Sequence, residues 1–256
     1  MKKTLTSQTG IIILLISLLP AFVQGQKAGD ERSFEIFEGV MIDMVWIPAG
    51  SFTMGNTSGI EDRWSEKEQA HTVKISEGFW MAKYETTQDL WELVMGHNPS
   101  RHCDSNHPVT NINWHETMAF IHTIQRFNSK FDLPTEAQWE HAAKAGTDKA
   151  YSLPRDEITW HKENSGVVSH PVGTKKPNRW GLYDIHGNVC EWTRDWLAPF
   201  SNEPTTDPKG PGNGERKLVK GGQFTGRPRH TMSFDRQSSL PDSENFYVGF
   251  RIMRKQ

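Results

Sequence analysis

Cysteine is scarce in this chain: two in 256 residues, Cys103 and Cys190, and none after position 190. Any site built from cysteines near the C-terminus is therefore excluded. In an oxidising compartment the two could pair, but spacing alone leaves open whether they meet. A large excess of either charge is missing too. Lys and Arg number 29 against 31 Asp and Glu, a formal charge of −2. No basic stripe appears, which argues against nucleic acid as a partner. The chain has no phosphate loop, no HExxH and no nucleophile elbow, so three common catalytic frameworks drop out. It shows no internal repeat and no heptad.

What is present begins with a leader. Lys2 and Lys3 precede a short apolar run, Ile11 to Leu19, and Val23-Gln24-Gly25 places small residues at −3 and −1. That pattern predicts a signal peptide over residues 1–25. The run is too short for a comfortable membrane span. No cysteine follows it, which argues against a lipid anchor, so no membrane attachment is expected after cleavage. The expected protein is exported, periplasmic or secreted. Loss of Lys2 and Lys3 leaves 27 basic against 31 acidic residues, a formal charge of −4. Ten Trp are spread along the chain; indoles are large and mostly buried, so they read as packing anchors of a loop-rich domain.

Residues 26–39 are polar and read as an N-terminal arm, leaving 40–256 as the domain. Met44 to Gly55 alternates apolar residues, with Pro48 and Gly50 breaking it into two short strands. Gly78 to Glu85 is also strand-like. Three helices are expected. The first spans about 87–95, with Thr86 or Thr87 as N-cap and Gly96 past its end. The second spans about 114–128, with Asn113 and Glu116 as a capping box. Its buried face holds Met118, Ile121, Ile124 and Gln125 or Phe127. The third spans about 136–145, with Thr135 and Gln138 as its box, Trp139, Ala142 and Ala143 inside, and Gly146 as the stop. Later strands are Lys217–Lys220 and Tyr247–Met253. The fold class is an irregular, loop-rich α+β domain.

Seven segments occur in a fixed order. They are Val45 to Gly55, Lys83 to Gln88, Pro108 to Trp114, Leu133 to Glu140, Gly181 to Thr193, Lys220-Gly221-Gly222, and Val248 to Arg251. Together they resemble the formylglycine-generating enzymes, the sulfatase-modifying-factor family. The resemblance implies a variant of the C-type-lectin fold and bound calcium.

Asp184 and Glu191 supply carboxylates seven residues apart, and Gly187 with Asn188 permits a tight turn that aims carbonyls inward. The plainer alternative is that they cap turns or pair with Arg194. The resemblance implies a calcium site from the Asp184 side chain, the Gly187 and Val189 carbonyls and the Glu191 side chain. A second, weaker site would use Asn164 and the Ser165 carbonyl, although Gly166–Gly173 lacks its acidic partners.

The resemblance also implies a cuprous ion held by two thiolates, which activates oxygen to convert a substrate cysteine to formylglycine. The corresponding stretch here, Gln223 to Phe234, has no cysteine. Soft Cu(I) wants thiolates, so copper is not expected. Arg227, Arg229, His230, Asp235 and Arg236 remain there. They read as a candidate pocket for an anionic or aromatic ligand, with His230 as acid/base, or as a solvated turn. His97, His102, Cys103 and His107 lie in a polar loop and read as solvent-facing. The expected function is a binding, regulatory or maturation factor of the envelope, with a protein or small-molecule ligand. The alternative is a diverged oxidase, of the kind that matures a siderophore chromophore or, less readily, one that forms formylglycine.

Overall fold

The computed structural model describes residues 25–57, 70–200 and 203–256. The expected signal peptide lies outside the described residues, apart from Gly25. The first elements are β1 (Glu31–Phe37), β2 (Val40–Ile47), β3 (Gly50–Met54), β4 (His71–Ile75) and β5 (Phe79–Ala82). Helices α1 (Gln88–Met95) and α2 (Trp114–Gln125) follow, then β6 (Phe131–Asp132) and α3 (Glu136–Lys144). After them come α4 (Arg155–Ile158), β7 (Thr159–Trp160), β8 (His186–Gly187), β9 (Cys190–Trp196) and β10 (Thr205–Thr206). The chain closes with β11 (Lys217–Lys220), β12 (Gln237–Ser239), β13 (Val248–Phe250) and β14 (Met253–Lys255).

A five-stranded antiparallel sheet has the order β1-β2-β5-β14-β6. A four-stranded sheet has the order β12-β11-β9-β13, with β13 parallel to β9. Smaller sheets are β10-β4-β3 and β7-β8.

The local signals explain the helix starts. The Thr87 side chain accepts from the Leu90 amide, and Gly96 ends α1 in the left-handed region at φ 79°. Asn113 and Glu116 form the capping box of α2, and Thr135 and Gln138 that of α3. Such reciprocal bonds satisfy two of the amides that a helix start leaves unpaired.

Two apolar clusters fill the molecule. In one, Trp91 stacks on Phe120 with ring centroids 5.5 Å apart, and both meet Phe250 edge-on. In the other, Trp139, Ala142 and Ala143 of α3 pack with Val45, Ile47, Phe79 and Leu182. Trp91, Trp139 and Trp192 are fully buried, as packing anchors should be.

Three expectations change. Residues 31–37 are not a free arm but strand β1, whose Phe34 and Ile36 turn inward onto the core. Helix α2 ends at Gln125, and Phe127 beyond it is 49% exposed, touching Phe37 edge-on. The stretch Tyr247–Met253 splits at Arg251 into two strands in different sheets. Cys103 and Cys190 are both free thiols, the first exposed and the second buried.

Phe120→Ala removes the ring that joins Trp91 to Phe250 and should cost about 3–5 kcal/mol. A lower urea midpoint at unchanged m would register it. His122→Ala, on the exposed face of α2, should stay within about 0.5 kcal/mol.

Candidate functional site

Helix α3 buries polar side chains as well as apolar ones. Glu136, Glu140, His141 and Lys144 are all within 5% of full burial. Each needs a partner, because an unpaired buried charge is costly. Glu136 holds Arg236 through two bonds, Nε to Oε1 at 2.6 Å and Nη2 to Oε2 at 2.9 Å. Glu140 accepts from the Gly55 amide at 2.7 Å, from Lys144 at 3.3 Å and from Lys220 at 3.2 Å. Lys144 also donates to the Thr53 carbonyl. Trp139 Nε1 donates to Glu191 Oε2 at 2.7 Å. One helix thus ties the β3 segment, β9, β11 and the loop after β11 together.

The 181–193 segment is shaped by four left-handed residues, Gly181 (φ 86°), Asp184 (φ 52°), Gly187 (φ 83°) and Asn188 (φ 53°). Gly187 is required by space too: a Cβ there would lie 2.1 Å from the Trp160 carbonyl oxygen. Asn188 donates its side-chain amide to Glu85 Oε2 at 2.7 Å, and the Val189 amide donates to Glu85 Oε1 at 3.1 Å. Burial holds the Glu85 carboxyl well above the usual range, and repulsion from Asp184 and Glu191 adds to it.

Glu191 faces Arg251, which is fully buried. Arg251 Nε lies 3.1 Å from both Glu191 oxygens, and Nη2 donates to Oε1 at 2.8 Å. Its remaining donors reach the carbonyls of Ala82, Lys83 and Tyr183 at 2.8–3.0 Å. Arg194, an open partner for Asp184 or Glu191 from sequence, instead pairs with Asp132.

Asp184 accepts from the Gly173 amide on Oδ2 at 2.6 Å. Its Oδ1 is buried with no hydrogen-bond partner among the described residues. Burial pushes its carboxyl up to about 6, against the Gly173 amide and Arg251. An orphaned buried oxygen, with three buried carboxylates facing one guanidinium, fits a hard cation beside Asp184. Glu191 fits less well, since both of its oxygens already accept from Arg251. Among the described residues no group of three or more His, Cys, Asp or Glu side chains forms a metal-ligand set. Backbone carbonyls, including those of Gly187 and Val189, would have to complete any coordination.

At the weaker expected site both oxygens already have protein partners. Asn164 Oδ1 accepts from the His161 amide and its Nδ2 donates to Thr159, while the Ser165 carbonyl lies 2.9 Å from His170 Nε2. His170 stacks on Trp160 with centroids 3.7 Å apart.

The five candidate pocket residues divide. Pro228–Thr231 forms a 3-10 turn pressed against Gly222, where a Cβ would lie 2.2 Å from the His230 carbonyl oxygen. His230 Nδ1 faces Asp235 Oδ2 at 3.5 Å, and Gln237 Nε2 fixes the same oxygen at 2.9 Å. Arg229 Nε lies 3.5 Å from His230 Nε2. Arg229, His230 and Asp235 are therefore together. Arg236 belongs to the Glu136 pair and covers Phe200 at 4.0 Å. Arg227 is exposed, and its carbonyl accepts from the His230 amide.

Cys190 Sγ donates to Gln223 Oε1 at 3.0 Å. Burial raises its pKa well above the ordinary value, so it stays a thiol. In the 97–107 loop His107 sits between Asp104 (3.6 Å) and Ser169 (3.1 Å), which makes it a loop tie.

A model of the sulfatase-modifying factor enzyme 1-like domain matches residues 37–256. The chain belongs to this family. A formylglycine-generating enzyme of Streptomyces coelicolor is 33% identical over 168 residues, 57% of this chain and 52% of that enzyme. The chain spans about half the length of the Streptomyces and mouse formylglycine-generating enzymes that it matches. The chaperone protein LppX of Paenibacillus barcinonensis is 27% identical over 303 aligned positions, covering 94% of this chain and 99% of LppX. Among solved structures, Treponema denticola variable protein 1 superposes with TM-score 0.79 at 28% identity, over 88% of this chain and 99% of that one. PvdO from Pseudomonas aeruginosa gives 0.76 at 23% identity, over 91% and 100%, which shows the fold alone. The fold is the loop-rich, C-type-lectin-like fold of formylglycine-generating enzymes.

Sequence reasoning missed Glu85, Glu140, Lys220 and Asp195. The available signal was charge inside otherwise apolar stretches, as in Lys217-Leu218-Val219-Lys220. Asp195 is buried, accepts from the Glu136 amide at 2.9 Å, and is pushed up to about 7, chiefly by burial. A carboxyl raised on folding binds its proton more tightly in the native state. Its contribution to stability is therefore largest below the unfolded value and declines as pH rises toward 7. Asp195→Asn should flatten the fall in melting temperature between about pH 4 and 7. An unchanged pH profile would refute this.

Proposed function

We propose that this chain is an exported binding or maturation factor built on the family's calcium-stabilised scaffold, and not a formylglycine generator. The observation that carries the reading is the 223–234 segment, where the resemblance puts two copper thiolates and this chain has none. Cys190 does not replace them, being a buried thiol bonded to a glutamine amide. Oxygen and nitrogen donors are poor substitutes for thiolate toward Cu(I). The near end-to-end match with LppX, whose name is a chaperone's, favours a protein-directed role. The leader pattern of Lys2, Lys3 and Ile11 to Leu19 supports export to the envelope. The remaining Arg229, His230 and Asp235 group supports contact with an anionic or aromatic partner group.

Calcium in this reading is structural. Asp184, the Gly187 and Val189 carbonyls and Glu191 would hold it, and its charge would offset the buried carboxylates. Calcium should raise the melting temperature of the wild-type protein relative to chelator, since a ligand of the native state stabilises it. Asp184→Asn should remove that difference. Equal wild-type melting with calcium and with chelator removes calcium from the reading.

For the chemistry, the mature protein is mixed with a cysteine-containing sulfatase peptide, oxygen and cuprous ion. The expected result is no aldehyde trapped by a hydrazide probe. Aldehyde above the protein-free control would move the chain to the oxidase class.

A further inference from the structure

A groove of ≈ 340 Å³ runs between the β1–β2 hairpin and α1. Its walls are apolar, with Met41 on the hairpin side and Leu90 and Leu93 on the helix side. Met41 and Leu93 are 55% and 52% exposed, so both lips of the groove present large apolar side chains to solvent. Single exposed apolar residues are ordinary, but a concave pair facing across a groove is not. Methionine adapts to varied shapes, which suits such a lip.

Two further features point to an occupant. Asp43, Glu85 and Asp89 line the groove, the Glu85 oxygens already held by Asn188 and Val189, and no Lys, Arg or His among the described residues lines it. Lys83, beside the groove's Tyr84, is paired with Glu31 at 2.7 Å. Thr86 also lines the groove, is 3% exposed, and its hydroxyl has no hydrogen-bond partner among the described residues. The backbone of Thr86 is already used, its amide by Phe250 and its carbonyl by Val109. The hydroxyl therefore remains for something that enters.

We propose that this groove docks a polypeptide segment of a partner protein that carries aliphatic side chains flanked by Lys or Arg. The aliphatic groups fill the space between Met41, Leu90 and Leu93. The cationic groups meet Asp43 and Asp89, and a backbone amide or carbonyl meets Thr86. This complementarity of one sign steers the encounter and rejects acidic segments. The proposal goes beyond the function proposed above and does not depend on it: aldehyde formation by the chain would leave the groove's test untouched.

The test uses a fluorescein-labelled amphipathic peptide of Leu and Lys and its Leu/Glu counterpart, titrated with the mature protein by anisotropy. The expected result is saturable binding of the Leu/Lys peptide alone, weakened by added salt. Leu93→Lys should weaken it by about tenfold or more. Asp89→Asn should weaken it by roughly threefold, the scale of an exposed charge. Circular dichroism checks that the variants fold, and Met41→Lys tests the opposite lip should Leu93→Lys fail to do so. Equal binding of the Leu/Glu peptide, no binding of either, or unaltered binding by folded Leu93→Lys overturns the proposal. So does a concentration-dependent dimer that Leu93→Lys dissolves, since the groove would then serve a second copy of the chain.

Discussion

Arg251 is a guanidinium with no access to water, and where its hydrogen bonds go sets the course of the surrounding chain. Two donors are spent on Glu191, and the rest on the carbonyls of Ala82, Lys83 and Tyr183. Burying such a pair gains little over an apolar core, but removing one partner strands a charge and is costly. The pair therefore acts less as a source of stability than as a specification. With Glu191 fixed, Trp139 has its indole acceptor and α3 has its orientation. With α3 oriented, Glu140 and Lys144 meet Gly55, Thr53 and Lys220. The segments that identify the family are the ones these contacts join.

The regular part of the fold was legible in the sequence because its signals are local. Asn113 with Glu116 and Thr135 with Gln138 are three apart and satisfy their own helix starts. Pro48 and Gly50 separate β2 from β3 where the alternation breaks. The polar core was not legible, since its partners are far apart: Glu85 reaches residues 188 and 189, and Glu140 reaches Gly55 and Lys220. Periodicity read α3 as one apolar face, yet the helix is buried on nearly all sides and its charges are paired within. Strand β1 was hidden by its exposed charges, because an edge strand needs only Phe34 and Ile36 turned inward. At the candidate pocket, sequence grouped five residues, and the partition of Arg236 to Glu136 depends on a helix about a hundred positions earlier.

The scaffold and the chemistry of this family separate cleanly in this chain. What holds the fold is a lattice of buried carboxylates, lysines and one arginine, and among the described residues its one unpartnered carboxylate oxygen is Asp184 Oδ1. The resemblance puts two thiolates on the loop after β11, and that loop here carries glutamine, arginine and histidine instead. Gln223 and Gln237 hold the lone buried thiol between them. A fold secured independently of its reactive loop can exchange that loop's contents without losing its shape.

Strand β14 lies between β5 and β6, in the interior of the five-stranded sheet. Arg251, just ahead of it, reaches back 169 positions to Ala82. The β1–β2 hairpin and the capped helices are sequence-local and can form early, but β5 and β6 are not joined until residues 253–255 pair with both. Such long-range closure slows folding, because loop entropy is paid before the contacts reward it. Until residues 253–255 pair, β5 presents an open strand edge at Trp80 and Met81, a template for pairing with another chain.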